Sequence, residues 1–266
     1  MSDTLSTLNW LMEAGADEAI AAEPINRLAV KPAAVAPMPA ATTRPASIQA
    51  PALLTGDTIG DAQAAAASAA SLAELKAALT AFDGCGLKRT ATNTVFADGV
   101  PQGGIMLIGE APGRDEDRIG KPFVGRAGQL LDKMLASIGL DRASNAYITN
   151  VINWRPPDNR DPTPEEAASC LPFLRRHIEL ADPQLIILLG AVAARHVVGV
   201  SDGIMKLRGR WLEYRVGSSM VPLMPTLHPA YLLRQPAHKK LAWRDLQSVR
   251  DKMQLLGLPR SSAQSN

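Results

Sequence analysis

The sequence predicts an α/β fold: a three-layer sandwich with a mainly parallel central sheet of about four strands. Two observations carry this. Four short runs, at 105–108, 146–152, 185–189 and 221–226, are apolar with little alternation, the pattern of strands covered on both faces. Between them lie segments with apolar residues at helical spacing, so strands alternate with helices and crossover connections follow.

Taken in order, residues 1–22 hold a short amphipathic patch, Leu5, Leu8, Trp10 and Leu11, which suits either a short helix that docks a protein partner or a frayed helix of no specific use. Residues 23–70 are rich in Ala and Pro with few large apolar side chains, and read as a disordered linker. The folded domain is expected over 71–258. Ser71 with Glu74 makes a capping box for a helix carrying Leu72, Leu75, Ala78 and Leu79. A loop with a short strand near 94–96 leads to the first buried strand.

That strand ends in GEAPG, where Gly109, Pro112 and Gly113 force a turn. A polar loop follows with Phe123 inside it, and Asp115, Glu116 and Asp117 read as a solvated face. The next helix carries Leu130, Leu131, Met134, Leu135 and Ile138. The strand over 146–152 runs into a proline-rich loop. Thr163 then caps a helix with Pro164 in its first turn and Glu165 and Glu166 favourable to its dipole. The strand at 185–189 and a helix over 191–198 come next, then a hairpin or edge region over 210–216. The strand at 221–226 ends in LHPAYLLR, and a basic helix over 238–256 closes the domain, leaving 259–266 as a disordered tail.

Charge divides the chain. The net charge is +2 over 266 residues, but residues 1–70 hold three basic and seven acidic side chains and the remainder 25 basic and 19 acidic. A basic folded region behind an acidic leader fits a polyanion ligand. No run of about 18 apolar residues exists to span a membrane, and the N-terminus lacks a secretory pattern. A cytoplasmic, nucleoid-associated monomer is expected, with Cys85 and Cys170 as thiols rather than a disulfide. There is no P-loop, no dinucleotide fingerprint and no zinc spacing.

In a parallel sheet, loops at the carboxyl ends of the strands form the ligand site. Three such loops bring a carboxylate (Glu110), an aromatic face (Phe123), an amide (Asn150) and an imidazole (His228). An aromatic face and an amide suit a flat heterocycle, stacked and read along its edge. A carboxylate and a histidine suit bond cleavage with charge developing on a leaving group. Of the remaining histidines, His177 and His196 read as structural, and His238 as capping or solvating a helix.

The segments GEAPGRDEDRIGKPFVGRAGQLLD, YITNVINWRPPDNRDPTPEE and LHPAYLLR, in that order, resemble the family-four uracil-DNA glycosylases over roughly 82–253. The resemblance implies hydrolysis of the N-glycosidic bond to uracil in DNA. It implies that Glu110 handles the attacking water and that Gly109 and Phe123 bound the uracil site, Phe123 by stacking. Asn150 would hydrogen-bond the uracil edge and reject thymine and cytosine patterns, and His228 would donate to the uracil carbonyl. Leu232 or Leu233 would wedge into the gap left by the flipped nucleotide, and Arg234, Lys239 and Lys240 would contact phosphates.

One feature departs from the pattern. The family resembled usually holds a [4Fe-4S] cluster on four cysteines. Cys85 and Cys170 stand at two of those positions, whereas Phe82 and Trp154 stand at the others. Aromatic carbon cannot ligate iron, so no cofactor is expected, and the two rings are expected to fill the space instead. The competing readings are a damage-binding module that lost activity with the cluster, and a nucleotide or nucleoside hydrolase on the same sheet.

Overall fold

The computed structural model describes residues 56–259. The amphipathic leader, residues 23–55 of the linker and residues 260–266 of the tail lie outside the described residues. The strands are β1 (Ala97–Gly99), β2 (Ile105–Gly109), β3 (Ala146–Asn150), β4 (Leu185–Leu189), β5 (Leu212–Val216) and β6 (Ser219–Thr226). The helices are α1 (Gly56–Ala67), α2 (Leu72–Ala81), α3 (Arg114–Ile119), α4 (Arg126–Ala136), α5 (Pro164–Ala181), α6 (Ala191–Val198), α7 (Ile204–Leu207), α8 (Pro229–Arg234) and α9 (Lys239–Leu255).

The sheet has six strands in the order β1-β3-β2-β4-β6-β5 rather than about four. The four central strands are the four apolar runs, and they pair in parallel. The two additions are antiparallel edges. β5 forms a hairpin with β6, in the region expected to be an edge. β1 lies three residues beyond the strand expected near 94–96 and is only three residues long, too short to show a period.

Successive residues of the buried strands face opposite layers. Met106, Ile108, Ile186 and Leu188 pack with Leu75 of α2 and Phe173 of α5. Ile105, Leu107, Leu185 and Ile187 pack with Leu131 of α4 and Val249 of α9. Two cores, one on each face, explain why these strands show no polar alternation.

The domain begins earlier than the linker reading allows. α1 occupies 56–67 and packs against α5, with Ala62, Ala66 and Ala69 buried. Alanine is the best helix former and lets two backbones approach closely, so a contact made of alanines is poor in large apolar residues. Arg176 completes the join by donating Nε and Nη2 to Ala69 O at 3.0 and 2.9 Å. At the other end, Pro259 O accepts Asn145 Nδ2 at 3.1 Å, so the expected tail is engaged at its first residue.

The caps follow the sequence closely. Thr163 and Glu166 form a reciprocal capping box at α5. At α2, Ser71 Oγ accepts Glu74 N–H, while the Glu74 carboxylate takes the N–H of Ala70 rather than that of Ser71. Among the described residues no helix is long and apolar enough to cross a membrane.

Candidate active site

The ends of β2 and β3 create the floor of the site. Gly109 is the register partner of Asn150. Pairing continues past the strands, with Val151 N–H donating to Gly109 O and Ile152 N–H to Glu110 O, both at 2.9 Å. This fixes the backbone of Glu110 beside Asn150. A Cβ on Gly109 would collide with Asn150 Oδ1 and with the Phe123 ring, so only glycine fits beneath them.

Glu110, Phe123, Asn150 and His228 line one pocket of about 580 Å³, together with Asn159, Asp161, Tyr231 and Arg234. The three loops anticipated from the sequence therefore meet. Asn150 is 2 % exposed, and its Oδ1 is buried with no hydrogen-bond partner in the protein. Such an acceptor costs about 1–3 kcal/mol unless a ligand donor satisfies it.

His228 caps α8: its Nδ1 accepts the Ala230 N–H at 3.1 Å. An accepting Nδ1 is unprotonated, so the neutral ring carries its proton on Nε2. Burial, assisted by the positive charge of Arg234, pushes the His228 pKa down to about 4. The imidazole is thus a neutral donor at ordinary pH. Its strand end is braced from behind: Thr226 Oγ1 donates to Asp245 Oδ2 at 2.7 Å, and Arg208 pairs with the same carboxylate.

Burial raises the Glu110 pKa and the nearby Asp161 carboxylate raises it further, against the opposing pull of Arg195 and Arg234. A carboxylate whose charged form is disfavoured by burial in this way is in the usual condition of a group that accepts a proton.

Phe123 has φ +54°, the left-handed region, and is 5 % exposed. For a bulky side chain this conformation costs about 1–3 kcal/mol. Its ring centroid lies 5.5 Å from that of His228, tilted by 35°. Asp115, Glu116 and Asp117 lie in α3 rather than in a loop, and the last two do not form the solvated face expected from the sequence. Glu116 Oε1 accepts Val124 N–H and Gly125 N–H at 2.9 Å each. Asp117 is buried, and its Oδ1 accepts Thr92 N–H at 2.8 Å and Asn93 N–H at 3.1 Å. Glu116 and Asp117 resemble part of a hydrated run in sequence, because the donors they accept from are backbone amides that composition does not reveal.

Comparison of the sequence with known proteins gives the family. The model of the uracil DNA glycosylase superfamily covers residues 96–247. The chain belongs to this superfamily. It is 45 % identical over 156 residues to the type-4 uracil-DNA glycosylase of Archaeoglobus fulgidus, covering 57 % of this chain and 78 % of that one. With the Sulfurisphaera tokodaii type-4 enzyme the identity is 37 % over 186 residues, covering 68 % and 84 %. With that of Thermotoga maritima it is 40 % over 169 residues, covering 62 % and 86 %.

The residues expected from the sequence to face DNA need one correction. Leu232 is 1 % exposed and packs into the α4–α9 core, so it cannot wedge into DNA without leaving that core. Its neighbour Leu233 is 38 % exposed. Arg234 lines the pocket and Lys239 is exposed at the start of α9. The structure adds Asp161 and Arg195 near Glu110, which the sequence marked only as polar residues of a loop and a helix.

The four positions at which the family resembled carries cysteines do not fit a cluster here. Trp154 is 1 % exposed, and its Nε1 donates to Thr94 Oγ1 at 3.0 Å. The Phe82 ring packs on Phe173 with centroids 5.1 Å apart and presses on Gly84, where a Cβ would strike it. Cys85 and Cys170 are both buried and hydrogen-bond one another. That bond lowers the Cys85 pKa to about 7 and, with burial, raises that of Cys170. Among the described residues no group of three or more His, Cys, Asp or Glu side chains is arranged to hold a metal ion.

Proposed function

We propose that this chain hydrolyses the N-glycosidic bond between uracil and deoxyribose in DNA, releasing the base and leaving an abasic site. The observation that carries the reading is the buried, unpartnered Oδ1 of Asn150 in a pocket that also presents the Nε2–H of His228. Uracil offers a donor at N3 between two carbonyl acceptors, the complement of such a pair. Cytosine lacks the N3 proton and would leave Oδ1 unsatisfied. Thymine presents the same edge as uracil, so its exclusion depends on space for the 5-methyl group and not on the amide.

The base must leave the stack to reach this pocket, where it lies against Phe123. As the glycosidic bond breaks, negative charge grows on the uracil carbonyl, and the His228 donor binds that charge more strongly than the ground state. The sugar becomes oxocarbenium-like. The Glu110 carboxylate orients the attacking water and takes its proton, a role its raised pKa favours. Arg234 and Lys239 hold phosphates, and exposed Leu233 fills the vacated stack.

We propose also that this chain works without an iron–sulfur cluster, since Phe82 and Trp154 occupy ligand positions with packed rings. We infer a cytoplasmic, nucleoid-associated monomer, and a protein partner for its leader on the strength of the amphipathic patch and acidic charge in residues 1–22. The deciding test is a uracil-bearing oligonucleotide incubated with the protein and then treated with alkali. Strand scission supports the glycosylase reading. A gel shift without scission replaces it with a non-catalytic binding module. Base release from free nucleotide alone replaces it with a nucleoside hydrolase.

A further inference from the structure

The peptide between Phe123 and Val124 is gripped at both ends. On one side Glu116 takes the Val124 N–H. On the other, Arg142 Nη2 donates to Phe123 O at 2.9 Å and Nη1 to Pro122 O at 3.1 Å. Arg142 lies between α4 and β3 and is not among the residues that line the pocket. Its guanidinium is itself fixed. Nε and Nη2 donate to Asp132 Oδ1 at 3.0 and 2.7 Å, and Nη1 donates to Asp98 Oδ2 at 3.1 Å. Asp98 is in turn tied to Lys121 at 2.9 Å.

A planar guanidinium with donors in a fixed fork transmits direction as well as charge. Phe123 needs such a brace. Its φ of +54° is unfavourable for an aromatic residue, and its carbonyl abuts Gly128 so closely that any Cβ there would overlap it. Released from Arg142, the peptide is free to rotate toward an ordinary conformation and carry the ring away from Gly109 and His228.

We propose that Arg142 is a positioning residue for base stacking: it acts on the substrate through the backbone of Phe123, without touching the base. The inference rests on the uracil-excision reading. It predicts that Arg142→Ala lowers kcat/KM about 10- to 100-fold, with a rise in KM and in the inhibition constant of free uracil. It predicts further that this loss vanishes when Phe123 is already Ala, the double variant matching Phe123→Ala within about threefold.

Should Arg142→Ala fail to fold, Asp132→Asn, whose carboxylate is half exposed, loosens the same guanidinium. Its expected loss is smaller, about two- to fivefold, and it too should disappear in the Phe123→Ala background. Equal losses in both backgrounds, or wild-type kinetics in the Arg142 and Asp132 variants, overturn the proposal while leaving uracil excision intact. Absence of scission by the wild-type protein overturns the functional reading itself, and this inference with it.

Discussion

Gly109 and Asn150 are register partners at the carboxyl ends of β2 and β3, and the absence of a side chain on the first is what leaves room for the amide of the second. The same absence admits the Phe123 ring. Backbone pairing therefore sets the spacing between the edge-reading group and the stacking face.

Gly109→Ala tests this directly. Its φ needs no glycine, so the effect comes from the Cβ alone, which would overlap Asn150 Oδ1 and the Phe123 ring. One or both must move. We expect kcat/KM for uracil excision to fall by about 100-fold or more, in the range seen when one transition-state donor is lost, while far-ultraviolet circular dichroism stays native. Retention of wild-type kcat/KM would show that the pocket floor has slack.

The His228 and Glu110 environments give opposite signs that a pH profile can separate. His228, with its pKa near 4, is neutral across the working range and should contribute no titration between about pH 6 and 8. Glu110 has a raised pKa and acts as the carboxylate, so activity falls as pH drops through that pKa. Glu110→Gln should remove the acid limb from the residual activity. His228→Ala should lower kcat by two or more orders of magnitude and keep the limb. A limb that persists in Glu110→Gln would assign it elsewhere.

The parallel sheet was legible because β2, β3, β4 and β6 are buried on both faces and so are apolar throughout. The positions of Glu110, Phe123, Asn150 and His228 were legible because each falls at the carboxyl end of such a strand or in the segment that follows it. What the sequence concealed has a common cause. Arg142, Glu116 and Asp117 act on backbone carbonyls and amides, which every residue possesses, so neither composition nor period marks them. α1 was hidden because its contact surface is alanine, and Leu232 because two adjacent leucines do not say which one faces the core.

A second pH effect belongs to stability. His177 is buried, stacked on Phe96 at 4.2 Å, and its Nε2 lies 2.9 Å from Tyr147 Oη. Burial depresses its pKa to about 3, against 6.5 in the unfolded chain. The unfolded state therefore binds more protons between these values. Stability is complete above about pH 6.5 and declines as pH falls toward 3, by up to about 1.4 kcal/mol per pH unit. Replacing both partners by apolar rings, Tyr147→Phe with His177→Phe, leaves no buried polar group unpaired and should be nearly neutral at pH 7. Urea midpoints from pH 7 to 4 should fall less steeply in the double variant. An unchanged slope would move the acid lability to other groups, His228 first.

The aromatic plug makes the last prediction. If Phe82 and Trp154 replace cluster ligation with packing, the domain should be stable with no iron and sensitive to loss of ring volume. Protein purified without oxygen should lack both stoichiometric iron and a broad visible absorption. A brown protein with about four irons per chain would contradict this outright. Trp154→Ala removes a fully buried indole and its bond to Thr94, and should cost about 3–5 kcal/mol in denaturant unfolding. Cys85→Ala with Cys170→Ala removes two mutually hydrogen-bonded thiols together, leaving only their weaker bonds to the Leu87 and Asn153 backbone and to Ser169 unmade. This pair should cost less than Trp154→Ala and leave kcat within about threefold of wild type. If instead the cysteine pair proved essential while Trp154→Ala was tolerated, the thiols and not the rings would be what replaces the cluster.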